Sequence, residues 1–219
     1  MRHLAILSAL VLASCAGPQR DPARDMPPVS TERFNGVTIA ELARNTEVCR
    51  AAFSLSHLEG RLLEHRPLQG GCGISNGVEV ERTSISLNKE FRSTCQLAAT
   101  FSVFEEKILQ PAAERHFDQP VSRIDHWGTY ACRNRNNRQA GSRSEHALAN
   151  AIDIAGFRLQ DGRSITVRED WNAGGSKEAF LREVHQGACQ LFQGVIGPDG
   201  DRHHHDHFHF DMGRWRFCR

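Results

Sequence analysis

SEHALANAIDIAGFRLQDGRSITV, Ser144 to Val167, is the stretch on which the fold turns. From Ala151 to Leu159 it is small and apolar, with isoleucines at 152 and 154, the composition of a buried strand. Gln160-Asp161-Gly162-Arg163 is turn material, and Arg163 to Val167 is predicted to return as the hairpin partner. Two residues disturb this pattern. Asp153 lies inside the strand, where an acid is costly to bury unless it is paired or metal-bound. His146 lies shortly before it, in SEHALAN, read as a turn or a single helical turn. Arg143 or Arg158 would be the plain structural partner of Asp153. A metal ion shared with His146 would be the functional one.

A second signal lies near the C-terminal end. Five of the twelve histidines fall between His203 and His209. If DHFHFD, residues 206–211, is a strand, its side chains alternate between faces. His207, His209 and Asp211 then share one face, while Phe208 and Phe210 enter the core from the other. A His-x-His pair on a strand suits zinc, because both imidazoles converge on one region. The plain alternative is a solvated histidine cluster that binds metals loosely.

The rest of the chain supplies helices and short strands. Val37 to His57 has helical spacing in Ile39, Leu42, Val48, Ala52 and Phe53. GGCGISNG is a glycine-rich turn, and VEVERTSISL alternates as a strand. Ser93 to Phe117 is the strongest helix, with Leu97, Phe101, Phe104, Ile108 and Leu109 on one side and Ser93 or Thr94 as cap. Pro111 is expected to kink or end it. Val121 to Tyr130 reads as a strand and Cys132 to Arg143 as a polar loop. Ser176 to Phe192 is a second helix, capped by Ser176. Gly194–Gly197 and His205–Met212 are strands, with the turn PDG between them. The whole reads as one α+β domain, helices packed on a small antiparallel sheet.

The chain opens MRHLAILSALVLASCAG. Arg2 precedes an apolar run, Leu4–Ala13, too short to span a bilayer, which reads as an export signal over residues 1–14. Leu12-Ala13-Ser14-Cys15 resembles a bacterial lipobox, which implies lipidation of Cys15. Residues 15–36 are rich in proline and charge and read as a disordered tether, with the folded domain from 37 to 219. Of seven cysteines, Cys15 apart, six remain: Cys49, Cys72, Cys95, Cys132, Cys189 and Cys218. An even number in an exported chain points to disulfides, and the absence of close C-x-x-C pairs argues against a zinc ribbon. Three bridges are expected: Cys189–Cys218, stapling the last helix to the C-terminus, then Cys95–Cys132, and Cys49–Cys72 by elimination. A formal net charge of +1 argues against a dedicated nucleic-acid binder, although RNRNNRQAGSR, residues 133–143, is locally basic. The domain is taken as a monomer.

Ser144 to Asp153, SEHALANAID, resembles the S-x-H-x-x-G-x-A-x-D signature of the LAS zinc peptidases, the lysostaphin-type and D-Ala-D-Ala peptidases with the hedgehog domain as a relative. His207-Phe208-His209 resembles their terminal H-x-H. Ala149 departs from the usual glycine. From about Cys49 to Cys218, through YACR, SEHALANAIDIAGF, ACQLF followed by GP, and HHDHFHFD, the chain also resembles the bacterial extensin-like C-terminal domain. The resemblance implies an LAS-like fold with His146, Asp153 and His209 as zinc ligands, leaving the open fourth position of catalytic zinc sites. It implies that His207 is not a ligand but stands beside that position as base or oxyanion stabiliser. Asp206, three residues before His209, matches a glutamate base of some LAS peptidases, though strict alternation would turn it away. His204 matches a further active-site histidine of a related murein endopeptidase group. Arg133, in YACR, matches a substrate-binding arginine, against the plain reading of a surface arginine. Ser144 serves as turn cap or substrate contact.

These readings lead to an exported, lipid-anchored zinc peptidase of the periplasm, held at the outer membrane and acting on peptidoglycan stem peptides or cross-links. The rivals are a zinc-containing binding module without catalysis, and a disulfide-stapled structural lipoprotein whose histidines merely buffer metal.

Overall fold

The computed structural model describes residues 33–65 and 67–219. The leader, Cys15 and the tether up to residue 32 lie outside the described residues. Among the described residues, no helix is long and apolar enough to cross a membrane.

Order begins before Val37. Strands β1 (Arg33–Phe34) and β2 (Val37–Thr38) form a hairpin around Asn35-Gly36, both at positive φ, as a tight two-residue turn requires. Phe34 is buried in the core, so residues 33–36 belong to the domain rather than to the tether. The helix expected over 37–57 is two helices, α1 (Ile39–Arg44) and α2 (Thr46–Ser54). Asn45 ends the first and caps the second, its side-chain oxygen accepting from Val48 N at 3.1 Å.

Strands β3 (Glu59–Leu62), β4 (Gly77–Arg82), β5 (Ser86–Leu87) and β6 (Phe91–Thr94) follow. β3, β4 and β6 make a small antiparallel sheet. VEVERTSISL is therefore not one strand: β4 lies in that sheet and β5 at the edge of another. Helix α3 (Cys95–Phe104), capped by Thr94, passes through one widened π-turn, Glu105–Leu109, into α4 (Gln110–Phe117). Pro111 sits in the first turn of α4 and ends nothing. The widened turn just before it takes up the missing donor and the ring's bulk.

Strands β7 (Val121–Gly128), β8 (Ala151–Leu159) and β9 (Ser164–Thr166), helices α5 (Val167–Asp170) and α6 (Gly175–Leu191), and strands β10 (Gly194–Ile196), β11 (Phe208–Asp211) and β12 (Phe217–Cys218) complete the chain. α6 starts one residue before Ser176, with Gly174 and not Ser176 at its cap position. The main sheet runs β12-β10-β11-β8-β7-β5, with β9 paired to β8. It is mixed rather than purely antiparallel. β12 reverses after β11 and returns outside β10, so those two run parallel, as do β5 and β7. Helices α3, α4 and α6 cover one face. Phe101, Phe104, Phe157, Phe180, Phe192, Phe208 and Phe210 are fully buried there, with Phe192 stacked on Phe210 at 4.9 Å.

All six described cysteines are bridged. Cys189–Cys218 pairs as expected, but the other two bridges are Cys49–Cys95 and Cys72–Cys132. Cys95 opens α3 and points into the core against α2, with 6.1 Å between its Cα and that of Cys49. Cys132 lies beyond the far end of β7, where the glycine-rich loop of Cys72 crosses: Gly73 N donates to Ala147 O at 2.9 Å. Cys95–Cys132 and Cys49–Cys72 are therefore ruled out by which segments meet.

Candidate metal centre

Three elements bring the site together. Ser144 caps the single 3-10 turn Glu145–Leu148, its hydroxyl oxygen accepting from His146 N at 3.3 Å. The turn ends at Ala149, which holds φ at 51°. That left-handed conformation is one glycine adopts without strain, which gives the glycine of the resembling signature a physical reason. Asp153 stands on β8, on the face opposite Ile152 and Ile154, which are fully buried in the core. β11 pairs with β8 so that His209 lies directly across from Asp153 and Phe208 across from Ile154.

The donor atoms form a tight triangle. His146 Nε2 is 3.0 Å from Asp153 Oδ1 and 3.1 Å from His209 Nδ1, and His209 Nδ1 is 3.0 Å from Asp153 Oδ1. The opposite nitrogens fix the tautomers. His146 Nδ1 faces the carbonyl of Thr129 at 3.1 Å, which can only accept, so Nδ1 carries the hydrogen. His209 Nε2 faces Asp211 Oδ2 at 3.1 Å, and Asp211 is itself held by Gly213 N at 2.7 Å. Both imidazoles thus turn lone pairs toward a carboxylate oxygen, an arrangement that a cation between them would satisfy. In a tetrahedral zinc site such donors stand roughly 3.3 Å apart, so the observed spacing fits. Without an ion, a proton serves: burial disfavours the charged form of His209, but Asp153 and Asp211 outweigh it and raise its pKa to about 9. Burial raises the pKa of Asp153, yet the adjoining imidazoles of His146 and His209 hold it well below the usual carboxylate range.

Neither Arg143 nor Arg158 pairs with Asp153. Arg143 donates to Gly70 O and Asn134 Oδ1, and Arg158 is exposed. His207 lies just before β11, its Nε2 3.6 Å from Asp153 Oδ1. Asp206 accepts from His207 Nδ1 at 3.0 Å. The segment before Phe208 is turn rather than strand, so Asp206 stands behind His207 and not at the donor triangle. Trp127, half exposed, lies on the His207 ring at 4.7 Å. His204 is hydrogen-bonded to Asp201 at 2.8 Å, with its ring 5.0 Å from that of His207 and 5.5 Å from that of His209. Burial lowers its pKa, against the pull of Asp201.

The site opens into a cleft of about 360 Å³ whose walls include Arg133, Ser144, His146, His204, His209 and Trp215. A hollow of about 600 Å³ between α4 and the start of α6 holds none of these imidazoles. Sequence reasoning gave no role to Thr129, Asp211, Trp127 or Trp215. Asp211 was accessible through the alternation with His209. Thr129 acts through its backbone carbonyl, which no side-chain pattern reports. His185, Cys189 and Cys218 also cluster, but both sulfurs are committed to a disulfide.

No curated protein and no solved structure matches the chain. A family model described as extensin-like protein C-terminus matches residues 47–219, from α2 through both metal motifs to the last residue. The chain therefore belongs to the extensin-like C-terminal family.

Proposed function

We propose that this chain is an exported zinc peptidase acting on peptidoglycan peptides, anchored to the envelope through Cys15. The observation that carries the reading is the donor triangle. Two histidines with tautomers locked from behind and one carboxylate face each other, both imidazoles line a cleft, and His207 adjoins them. Zinc held by His146, Asp153 and His209 would polarise a peptide carbonyl and make water acidic enough to attack near neutral pH. Asp206 keeps the hydrogen of His207 on Nδ1, so Nε2 is free to take or return a proton beside the reacting bond. His204, its pKa lowered, offers a neutral imidazole on the cleft wall. Arg133 is half-buried on the cleft wall, its side chain without a hydrogen bond or ion pair among the described residues, and presents its guanidinium to a carboxylate or oxyanion.

One observation favours a second reading. His207 Nε2 is close enough to Asp153 that it could complete a closed four-ligand set, which is the structural kind of zinc site. The protein would then be a zinc-stabilised binding module. Zinc stoichiometry together with hydrolysis of purified sacculi and muropeptides, with and without chelator, tests both. Tight zinc and chelator-sensitive turnover support the peptidase. Tight zinc with no turnover supports the module, and metal lost on dialysis leaves neither.

A further inference from the structure

The loop RNRNNRQAGSR, 133–143, carries four arginines and no acid in a chain whose net charge is only +1. Such runs are normally solvated faces with no fixed shape. This one is framed. Asn134 and Arg143 bridge its two ends. Arg135 N donates to Ser142 O at 3.0 Å and Arg138 N to Arg135 O at 3.3 Å. Asn134 Nδ2 donates to the carbonyls of Arg138 and Gln139 at 3.0 and 3.1 Å. The guanidinium of Arg143 is consumed by Gly70 O and Asn134 Oδ1, and Cys72–Cys132 ties the base of the loop to the glycine-rich loop that carries Cys72. The frame closes without the remaining arginines. The side chain of Arg138 has no hydrogen bond or ion pair among the described residues, and that of Arg135 has only Glu145, at 3.9 Å.

Their position gives this surplus a direction. Glu145 adjoins His146, so Arg135 stands next to the metal turn. Arg135 and Asn136 line the metal cleft, and the same two residues line a hollow of about 270 Å³ that continues to Arg138 and Ser142. The two spaces meet at Arg135-Asn136. Guanidinium groups bind carboxylates through two parallel hydrogen bonds. The framed loop fixes their backbone beforehand, so only side-chain freedom is lost when they do so.

We propose that the Arg135–Arg138 hollow is an anion subsite, which takes a side-chain carboxylate of an acidic peptide whose backbone lies in the cleft above His146, Asp153 and His209. The inference rests on the peptidase reading and adds to it a preference for substrates with a free carboxylate away from the reacting bond.

The test uses the mature zinc-loaded chain and fluorescence anisotropy. The probes are a labelled peptidoglycan stem peptide with free carboxylates, its counterpart amidated at the side-chain carboxylates alone, and a single-stranded oligonucleotide. The parent should prefer the free-carboxylate peptide by about tenfold or more, as charge-assisted hydrogen bonds predict. The Arg135→Ala/Arg138→Ala variant should lose that preference with zinc content and melting temperature unchanged, while Arg123→Ala keeps it. Equal binding of both peptides by the parent overturns the subsite without recourse to any variant. So does a double variant that retains the preference, or an oligonucleotide bound as tightly as the acidic peptide. Preference without hydrolysis would leave the subsite standing and remove the peptidase. Hydrolysis indifferent to Arg135 and Arg138 would do the reverse.

Discussion

Replacing Asp211 tests the reasoning behind the metal centre more sharply than replacing a ligand, because Asp211 touches no ion in that reasoning. Its carboxylate is buried and accepts two hydrogen bonds, from His209 Nε2 at 3.1 Å and from Gly213 N at 2.7 Å. Asp211→Ala leaves a buried donor on His209 and a part-buried one on Gly213 unsatisfied. At about 1–3 kcal/mol each, the metal-free fold should lose roughly 2–6 kcal/mol. It also frees His209 to rotate or to place its hydrogen on Nδ1, the atom that must carry a lone pair. Loss of such an orienting partner typically weakens metal binding by about 10–100-fold, or roughly 1.4–2.7 kcal/mol. At saturating zinc that second cost adds to the first, so the variant's deficit must be larger with zinc than without it. Asp211→Asn, whose amide oxygen can still accept from Nε2, should fall between. The assay is competition against a chromophoric chelator, with urea melts of both forms. Zinc affinity of Asp211→Ala within threefold of the parent would refute the tautomer argument.

Asp153→Ala should abolish tight zinc binding, because it removes a donor and the negative charge at the centre, whereas His207→Ala should keep about one zinc per chain and cost on the order of 100-fold in any muropeptide turnover. The opposite zinc contents would show that His207, not Asp153, is the ligand. Burial raises the pKa of Glu105 from 4.5 to about 7, against the hydroxyls of Thr83 and Ser84. The folded state then binds more protons than the unfolded one in that interval, so stability falls as pH rises through it, by about 3 kcal/mol in all. Urea melts of Glu105→Gln against the parent between pH 4.5 and 7.5 should isolate this slope, and an identical slope in the variant would exclude Glu105 as its source. Thiol titration of unfolded, unreduced protein with Cys15 replaced should find no reactive thiol, and two or more would contradict the three bridges.

What the sequence made legible was whatever follows a local period. β8 and its return were readable because Ile152, Ile154 and Phe157 have to be buried and QDGR can turn. The face shared by His209 and Asp211 was readable because strands alternate. α3 was readable from Leu97, Phe101 and Phe104. Events that depend on one residue serving two elements were lost. Asn45 both ends α1 and caps α2, yet the apolar spacing runs on across it. The FNGV turn at Phe34–Val37 was overlooked because the proline-rich segment ahead of it set the expected boundary. The π-turn before Pro111 leaves no mark in composition. The two misassigned disulfides failed for a different reason. Cys72 meets Cys132 because the glycine-rich loop lies on the metal turn through Gly73 and Ala147, a contact between segments far apart in the chain. No pairing rule within one sequence carries that information.

The site and the core are two sides of one register. Ile152, Ile154, Phe208 and Phe210 fill the helix-covered face of β8 and β11, and Asp153, His209 and Asp211 therefore occupy the other. A slip of β11 by one residue against β8 would exchange the two faces of β11. It would expose Phe208 and Phe210, at roughly 1.5–3 kcal/mol each, and drive His209 and the Asp211 carboxylate into an apolar layer. That penalty is large beside the marginal stability of a domain, about 5–15 kcal/mol. The spacing of the donor atoms is thus imposed by aromatic packing on the far side of the sheet and does not require the ion. The Cys72–Cys132 bridge and the Ser144 cap extend the same logic to His146, the one donor that does not come from a strand.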